Sequence, residues 1–402
     1  MHLILLSGEN LRLARLEAES LLKLENTRLE DNYLFCTIPT ESMQLVNRLS
    51  YARKVYEIVY VTARSNLEAS LKEYPWINFY EKSFCVRVTS NEHYDERYYA
   101  GFVWDNLEKS IRPKVDLINP DLWIEIFINK ETATATRLLY HNFENFENRK
   151  AHLRPVLHPT AMHPKMARAL VNILACDNIV DPFCGACGIL TEAGLLGIHF
   201  TGYDIDKKIL EDARKNLEYY DIDSRHYKLI VADSTKLKNL KNVVTDLPYG
   251  KSSKKSTGLD SLYAKFLKTL NGRSVVVMPS FMPYKKLLDK NLPKTLMVLT
   301  IIDHYVHKSL TRKIILIDKK KGSDNKIIKP TIKKKKTHKV EKIIKHKKEK
   351  HFPKRIKHYK TLKNKVINHI KKLTKVRSKK VAKIKHKNSK KSSKIMVQKK
   401  HK

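Results

Sequence analysis

Residues 179–188 have the sequence IVDPFCGACG, which runs from a short apolar strand, through an acidic loop of small residues, into a helix-forming segment. Glycines at positions 185 and 188 allow the backbone to approach a ligand closely. A helix that begins after such a loop offers free N–H groups to an anion. The pattern is also typical of ordinary tight turns and of dinucleotide sites, so it indicates an α/β fold before it indicates a ligand.

The region around this stretch, residues 156–318, repeats the order strand, turn, helix, which predicts a parallel sheet covered on both faces. The predicted strands are residues 179–181, 200–204, 229–232, 243–246, 274–278, 296–306 and 313–317. The predicted helices are residues 161–174, 189–196, 206–219 and 259–270. The last two strands must pair antiparallel, because the loop between them is too short for a crossover helix. This α/β arrangement is the architecture of S-adenosylmethionine-dependent methyltransferases.

Carboxylates end three successive strands of the predicted sheet, at Asp181, Asp204 and Asp233. Ligands of doubly wound sheets bind beyond the carboxyl ends of the strands. Asp204 is suited to accept hydrogen bonds from a ribose diol, and Asp233 from an adenine amino group. Each carboxylate alone also suits a turn or a helix cap. Together, in this order, they predict an adenosine-bearing ligand.

A fourth strand ends in residues 245–250, with the sequence TDLPYG. These residue types suit methyl transfer to an exocyclic amine of a base. Such an amine is a poor nucleophile because its lone pair is delocalised into the ring, and two acceptors that hold its hydrogens help the nitrogen to become tetrahedral. We assign these acceptors to the carboxylate of Asp246 and the carbonyl of Pro248, whose ring fixes the turn. Tyr249 offers a face on which a base stacks. The alternative is a turn in which Asp246 caps its own backbone.

Residues 158–165, with the sequence HPTAMHPK, precede a strong helix. One interpretation is a lid over the methionine end of the cofactor, to which Thr160 contributes. The other is an ordinary helix start, in which Thr160 is the cap and Pro164 lies in the first turn.

Cysteine usage and hydropathy indicate a protein of the cytoplasm. The five cysteines are odd in number and irregularly spaced, which favours a reducing compartment. Cys184 and Cys187 form a Cys-x-x-Cys pair, but no second pair at ligand spacing follows, so we expect no metal site. The N-terminus does not resemble a signal peptide, and no apolar run approaches the roughly 20 residues that a membrane span needs.

The chain before residue 150 is predicted to hold two small α+β domains. Residues 1–62 contain strands at 3–6, 33–38 and 55–61 and a helix at 10–22. Residues 63–145 contain a strand, a helix and a hairpin, at 84–88, 100–111, 122–128 and 132–140. The polar segment 141–154 separates them from a third domain at 150–318.

The net charge of +39 is concentrated at the C-terminus. Residues 319–402 hold 34 Lys and 2 Arg against three acidic residues, which leaves only +6 on residues 1–318. A segment of this composition cannot bury a core, so we expect a disordered Lys-rich tail that binds nucleic acid electrostatically.

These motifs resemble those of the archaeal tRNA guanine-10 N2-methyltransferases. The resemblance covers residues 1–318 and is most specific at 158–164, 181–185, 202–206 and 245–250. Residues 115–121, VDLINPD, look like the signature of a THUMP domain. Two departures are Cys187, where relatives usually carry glycine, and Leu247, in place of a proline often found before Pro248.

The resemblance implies an N-terminal ferredoxin-like domain, a THUMP domain at 63–145 that grips the acceptor end of tRNA, and a Rossmann-like methyltransferase domain. It implies S-adenosylmethionine as donor and the N2 amine of guanosine 10 as acceptor, with one or two methyl groups added. We expect a monomer that contacts tRNA through the THUMP domain, the methyltransferase domain and the tail. The predicted cofactor ligands are Thr160, Asp181, Cys184, Gly185, Asp204 and Asp233. The alternatives are an rRNA guanine N2-methyltransferase and a non-catalytic RNA-binding protein in which Cys187 marks a decayed cofactor site.

Overall fold

The computed structural model describes residues 1–157, 162–250 and 258–320 of the 402-residue chain. Residues 321–402, which form nearly all of the predicted tail, and the candidate ligand Thr160 lie outside the described residues. The chain divides into two compact units. Among the described residues, the first joins residues 1–57 with residues 138–320, and the second holds residues 58–137.

The elements are numbered in chain order. The strands are β1 (His2–Leu6), β2 (Arg28–Glu30), β3 (Tyr33–Cys36), β4 (Ala52–Ala63), β5 (Phe84–Thr89), β6 (Leu122–Ile128), β7 (Thr132–His141), β8 (Asn178–Asp181), β9 (His199–Asp204), β10 (Tyr227–Val231), β11 (Val243–Asp246), β12 (Ser274–Pro279), β13 (Leu296–His307) and β14 (Leu310–Lys319). The helices are α1 (Leu11–Leu22), α2 (Leu67–Glu73), α3 (Glu96–Glu108), α4 (Pro164–Leu174), α5 (Gly188–Leu195), α6 (Lys207–Tyr219), α7 (Leu259–Leu267) and α8 (Tyr284–Asn291).

A seven-stranded sheet forms the centre of the first unit, in the order β10-β9-β8-β11-β12-β14-β13. The first five strands in this order are parallel, and β14 pairs antiparallel with both β12 and β13. Successive side chains of a strand point to opposite faces, so Val243 and Val276 belong to one buried cluster, and Val244 and Val275 to another. Helices α4, α5 and α6 contribute to the second of these clusters, and α7 and α8 to the first. The predicted α/β architecture is confirmed.

The N-terminal segment of the first unit shares a core with this sheet. Strands β2, β3, β1 and β4 are neighbours in that order, and α1 packs against α4. Leu13 and Ala18 of α1 lie in the same buried cluster as Leu170 of α4 and Val244 of β11. The first 57 residues are therefore part of the fold that carries the sheet.

The second unit has its own core. The later part of β4 is followed in the sheet by β7, β6 and β5, where β5 and β6 are parallel and β6 and β7 antiparallel. Side chains from α2, α3 and these strands surround Trp76, which is fully buried and donates its indole N–H to the carbonyl of Leu71 at 2.9 Å.

Most predicted elements match observed ones, with ends that differ by a few residues. The sequence did not predict β2, α2 or α8, of 3, 7 and 8 residues, because such short segments carry little periodicity. Helix α4 begins at Pro164 with His163 as its N-cap. Pro164 lies in the first turn, as predicted.

Candidate active site

Asp181 lies at the end of β8 and holds the following loop together. Its Oδ1 accepts hydrogen bonds from the Thr245 hydroxyl at 2.7 Å and the Phe183 N–H at 3.1 Å. The residue is only 2% exposed. Burial, helped by the neighbouring carboxylates Asp246 and Asp204, raises the pKa of Asp181 to about 7, against the opposite effect of the hydrogen bonds from Thr245 and Phe183. The Asp181 carboxyl group is therefore used to hold the loop in place.

Asp204, at the end of the adjacent strand β9, binds the same loop from the side. Its Oδ2 accepts from the Gly185 N–H at 3.1 Å, and its Oδ1 accepts from the Asp206 N–H at 3.0 Å. Gly185 has φ of +50°, and the space where its Cβ would point is open. This backbone conformation, which favours glycine, leaves a bare stretch of main chain beside a carboxylate.

The two cysteines of the loop point away from this open space. The Cys184 sulfur packs against β9, so close to Gly202 that a Cβ there would lie 2.9 Å from it. Its hydrogen bond with Cys187 and its burial both raise the pKa of the Cys184 thiol. Cys187 is fully buried and has φ of +62°, where relatives are expected to carry glycine. Its thiol belongs to the hydrophobic core rather than to the loop surface.

Asp233 follows the third strand of this edge, β10, and is half-buried. Its Oδ1 accepts from the Thr235 N–H at 2.9 Å and from the Thr235 hydroxyl at 2.7 Å. These bonds lower the pKa of Asp233. Its Oδ2 lies 3.8 Å from the Lys236 Nζ.

Asp246 ends β11 and is held by two side chains. The Tyr249 hydroxyl donates to Asp246 Oδ1 at 2.5 Å, and Arg312 Nη2 lies 3.3 Å from Asp246 Oδ2. Arg312 Nε also donates to the Tyr249 hydroxyl at 2.9 Å. Burial raises the pKa of Asp246 to about 6, against the opposite effects of Arg312 and Tyr249. The carboxylate thus sits in a poorly solvated site with one cation beside it.

The turn after β11 is fixed by its own packing. Leu247 is 1% exposed, and its N–H donates to the carbonyl of Val277 at 3.0 Å, a bond that a proline at this position would remove. The Pro248 carbonyl accepts from the Tyr263 hydroxyl at 2.8 Å. Gly250 has φ of +70°, and a Cβ there would lie 2.8 Å from Leu259 Cδ1.

Sequence reasoning missed three residues that contact the candidate residues: Thr245 and Arg312 bind their side chains, and Tyr263 binds the Pro248 carbonyl. Thr245 lies in the TDLPYG motif, but its pairing with Asp181 depends on how two strands face each other. Tyr263 and Arg312 come from α7 and β14, outside every motif. The sequence signal that could have found Arg312 is its charge at the start of the apolar strand β14, which pairs antiparallel with its neighbour.

His163 is separate from these residues and caps α4. Its Nδ1 accepts from the Lys165 N–H at 3.2 Å, and its Nε2 lies 3.0 Å from Glu147 Oε1. Within residues 1–157, 162–250 and 258–320, no group of three His, Cys, Asp or Glu is arranged to hold a metal ion. The same described residues contain no helix that is long and apolar enough to cross a membrane.

Comparison with known proteins gives two family matches. Residues 151–299 match a family described as the RMKL-like methyltransferase domain, and residues 65–136 match the THUMP domain. The tRNA (guanine(10)-N2)-dimethyltransferase of Methanothermobacter thermautotrophicus is 30% identical over 341 residues, which cover 79% of this chain and 99% of that protein. The protein of the same name from Pyrococcus abyssi is 32% identical over 292 residues, 67% of this chain and 85% of that one. The crystal structure of TrmN from Thermus thermophilus is 18% identical, covers 79% of this chain and 99% of its own, and has a TM-score of 0.44.

Proposed function

Because the chain belongs to the family of tRNA (guanine(10)-N2)-dimethyltransferases, we propose that it methylates the exocyclic N2 amine of guanosine 10 in tRNA, with S-adenosylmethionine as donor. The relatives are named as dimethyltransferases, so we infer that N2-methylguanosine is converted onward to N2,N2-dimethylguanosine. The observation that supports this function best is that Asp181, Asp204 and Asp246 end neighbouring strands of one sheet edge.

The residues at this edge fit the cofactor. The open space at Gly185 leaves room for a ligand against the main chain, and Ile205, beside Asp204, is an apolar side chain that is 73% exposed. Each oxygen of Asp204 accepts one backbone N–H and keeps a second lone pair, which suits a ribose diol. Asp233 would accept from the adenine amino group, and the α5 N-terminus would face the methionine carboxylate. Cys184 would take part through its backbone, Asp181 through the loop that it holds, and Thr160 as part of the lid.

The bound cofactor supplies an electrophilic methyl group on a positively charged sulfur. The chain's own part is to position the acceptor amine. Asp246 would accept one amine hydrogen and the Pro248 carbonyl the other, which draws the nitrogen lone pair out of conjugation with the ring. Tyr249 would place its ring beside the base.

A nucleoside analysis tests the proposal. Unmodified tRNA transcript is incubated with the full chain and isotopically labelled S-adenosylmethionine, digested, and analysed by mass spectrometry. We expect labelled N2-methylguanosine followed by N2,N2-dimethylguanosine, and no label when guanosine 10 is replaced by adenosine. Label on another nucleotide, or equal labelling of an rRNA fragment, would contradict the proposed substrate. Failure to bind S-adenosylmethionine would favour a non-catalytic RNA-binding protein.

We further propose a monomer in the cytoplasm that grips the acceptor end of tRNA with its THUMP domain. Residues 65–136, which match that domain, lie within the second compact unit. Light scattering of the purified chain, alone and with one equivalent of tRNA, tests the stoichiometry. A dimer in either sample would overturn the monomer.

A further inference from the structure

Asp246, Tyr249 and Arg312 form a closed network of side chains. Each of the three contacts the other two, at 2.5 Å between Tyr249 Oη and Asp246 Oδ1, 2.9 Å between Arg312 Nε and Tyr249 Oη, and 3.3 Å between Arg312 Nη2 and Asp246 Oδ2. The Arg312 guanidinium also lies 5.9 Å from the centre of the Tyr249 ring. One cation therefore contacts two of the side chains to which we assign the acceptor base.

The topology of the sheet explains how Arg312 reaches this place. Strands β11 and β12 are parallel, so their carboxyl ends meet at the edge where Asp246 lies. Strand β14 runs the other way and pairs Arg312 with Pro279, the last residue of β12. The start of β14 therefore lies at the same edge as the ends of the parallel strands. The closing hairpin supplies a side chain to the site as well as pairing with the sheet.

A need for stability does not account for a buried arginine here. Arg312 is only 6% exposed, whereas Leu310 and Ile314 on the same strand are apolar. Taking a guanidinium and a carboxylate out of water is unfavourable, and replacing such a pair with apolar residues is often neutral or stabilising. The Arg312–Asp246 pair is better explained by its effect on the carboxylate, whose charge and orientation it fixes.

We propose that Arg312 is a positioning residue for methyl transfer, which keeps Asp246 ionised and directs its free lone pairs toward the acceptor amine. This inference rests on the proposed function and deepens it. Only an ionised carboxylate can accept the amine hydrogen at either of its oxygens, because a protonated carboxyl group presents a donor at one of them. Tyr249 and Arg312 each occupy one side of the carboxylate and leave one further lone pair on each oxygen.

The charges near Asp246 determine how strongly its ionisation depends on Arg312. The ionisable groups that face it in the described residues are Arg312 from β14, Tyr249 from its own turn, Tyr263 from α7 and Asp181 from β8. Asp181, with a pKa of about 7, is mostly uncharged where Asp246 titrates, and the tyrosines are neutral at physiological pH. Arg312 is therefore the single positive charge among these four groups, and its loss should raise the pKa of Asp246.

The main test is the pH dependence of single-turnover methyl transfer in the full chain, for Arg312→Gln and Arg312→Lys. We expect wild-type activity to fall as pH drops through about 6, the pKa of Asp246. Arg312→Gln should move this midpoint upward by about 1–3 pH units, because an adjacent arginine lowers an aspartate pKa by that amount. Arg312→Lys keeps the charge, so its midpoint should lie close to that of wild type.

Arg273→Gln is the matched control. Arg273 pairs with Asp318 at 2.7 Å, near the opposite end of the same strand β14, and belongs to no part of the candidate site. Its variant should keep the wild-type midpoint. An equal shift in the Arg273 variant would show that any ion pair of this sheet has the effect, and would overturn the inference.

A second readout needs no cofactor. Inosine lacks the 2-amino group of guanosine, so the ratio of affinities for tRNA carrying guanosine or inosine at the target reports contact with the amine. We expect wild type and Arg273→Gln to prefer guanosine on the order of tenfold, and Arg312→Gln to lose the preference. A folded Arg312→Gln variant with wild-type midpoint and preference would overturn the inference.

Two outcomes must be distinguished from a failure of the inference: a variant that does not fold and a wild type that does not methylate guanosine N2. If Arg312→Gln does not fold, as judged by circular dichroism, Tyr249→Phe decides: it removes one donor to Asp246 and should also raise the midpoint, while Arg312→Lys should keep it near the wild-type value. If Tyr249→Phe changes neither the midpoint nor the guanosine preference, the inference fails. If wild type itself does not methylate guanosine N2, the proposed function fails, whereas an active wild type with unshifted variants overturns this inference alone.

Discussion

The side-chain amide of Asn172 in α4 donates to the carboxylate of Glu17 in α1 at 2.7 Å, inside the shared core of the first unit. Glu17 is fully buried, and it also accepts from the N–H and hydroxyl of Ser50 and from the N–H of Tyr51. Burial raises the pKa of Glu17. The Glu17 carboxylate thus joins the N-terminal segment to α4, a helix that packs on the sheet of the first unit.

Replacing Glu17 should destabilise the whole first unit. Each buried donor left without an acceptor costs about 1–3 kcal/mol, so we expect Glu17→Ala to lower the free energy of unfolding by about 3 kcal/mol or more. Urea denaturation followed by circular dichroism measures the change. Glu25→Ala, which removes an exposed carboxylate just beyond α1, should stay within about 0.5 kcal/mol of wild type. Equal effects of the two variants would contradict the role of Glu17.

Asp246→Ala should abolish methyl transfer and leave cofactor binding intact, because we assign Asp246 to the acceptor amine. Loss of a positioning group of this kind should cost about 100-fold or more in single-turnover rate. The two quantities are measured separately, by quenched transfer to tRNA and by equilibrium dialysis of S-adenosylmethionine. A variant within a few-fold of wild type would mean that another group orients the base.

Asp204→Ala should weaken cofactor binding by about 1.5–3 kcal/mol, the contribution of hydrogen bonds to a charged group. Affinity for tRNA should change little. Calorimetric titration of S-adenosylmethionine measures the effect. The control is Asp206→Ala, two residues away, whose side chain caps α6 by accepting from Lys208 and Ile209. The Asp206→Ala variant should lose helix stability but keep its affinity for the cofactor. If it lost as much cofactor affinity as Asp204→Ala, the loss would come from disturbance of the fold and not from a lost contact.

Asp181 should make the unliganded protein less stable as pH rises. Its pKa of about 7 in the folded state lies above that of an unfolded aspartate, so the folded state binds more protons between about pH 4 and 7. The stability that protonation contributes is complete below this window and is lost as pH rises through it. Asp181→Asn keeps an acceptor for Thr245 and Phe183 but cannot titrate. Between pH 5 and 8, the free energy of unfolding should fall more in wild type than in Asp181→Asn, and parallel curves would refute this.

A chain that ends at Lys320 should still methylate the same guanosine. The cut leaves β14 intact, since that strand extends to Lys319. We expect weaker RNA binding at low salt and a shallower salt dependence, by roughly 0.7–0.9 in log–log slope for each phosphate that the shortened chain no longer neutralises. An unchanged slope would mean that the Lys-rich segment does not touch RNA. A change in the methylated position would make that segment part of the recognition apparatus.

How far the sequence predicts this site depends on where each residue lies along the chain. Asp204 and Asp246 were identifiable because the carboxyl ends of parallel strands meet at one edge, a rule that needs only strand assignments. Arg312 and Tyr263 were not, because their contacts with the motif depend on the register of β14 against β12 and on the packing of α7. The same applies to Glu17, whose partner Asn172 lies 155 residues away.

The departures from the family pattern also became interpretable only with the packing. Leu247 in place of proline adds a hydrogen bond to Val277 and fills a buried position. Cys187 keeps the left-handed backbone conformation that suits glycine, but its side chain turns into the core. Neither the register nor the direction of a side chain can be read from residue types alone.

The division of the first unit into residues 1–57 and a part that begins at residue 138 has a consequence for synthesis. The N-terminal segment leaves the ribosome well before α4 exists, so the face of helix α1 that packs against α4 has no partner while the second unit is made. At about 5–20 residues per second, the delay until β14 has been translated is on the order of tens of seconds. During that time the second unit, whose core residues are contiguous, can already close its own core. The order of translation therefore allows the unit that matches the THUMP domain to fold before the first unit is complete.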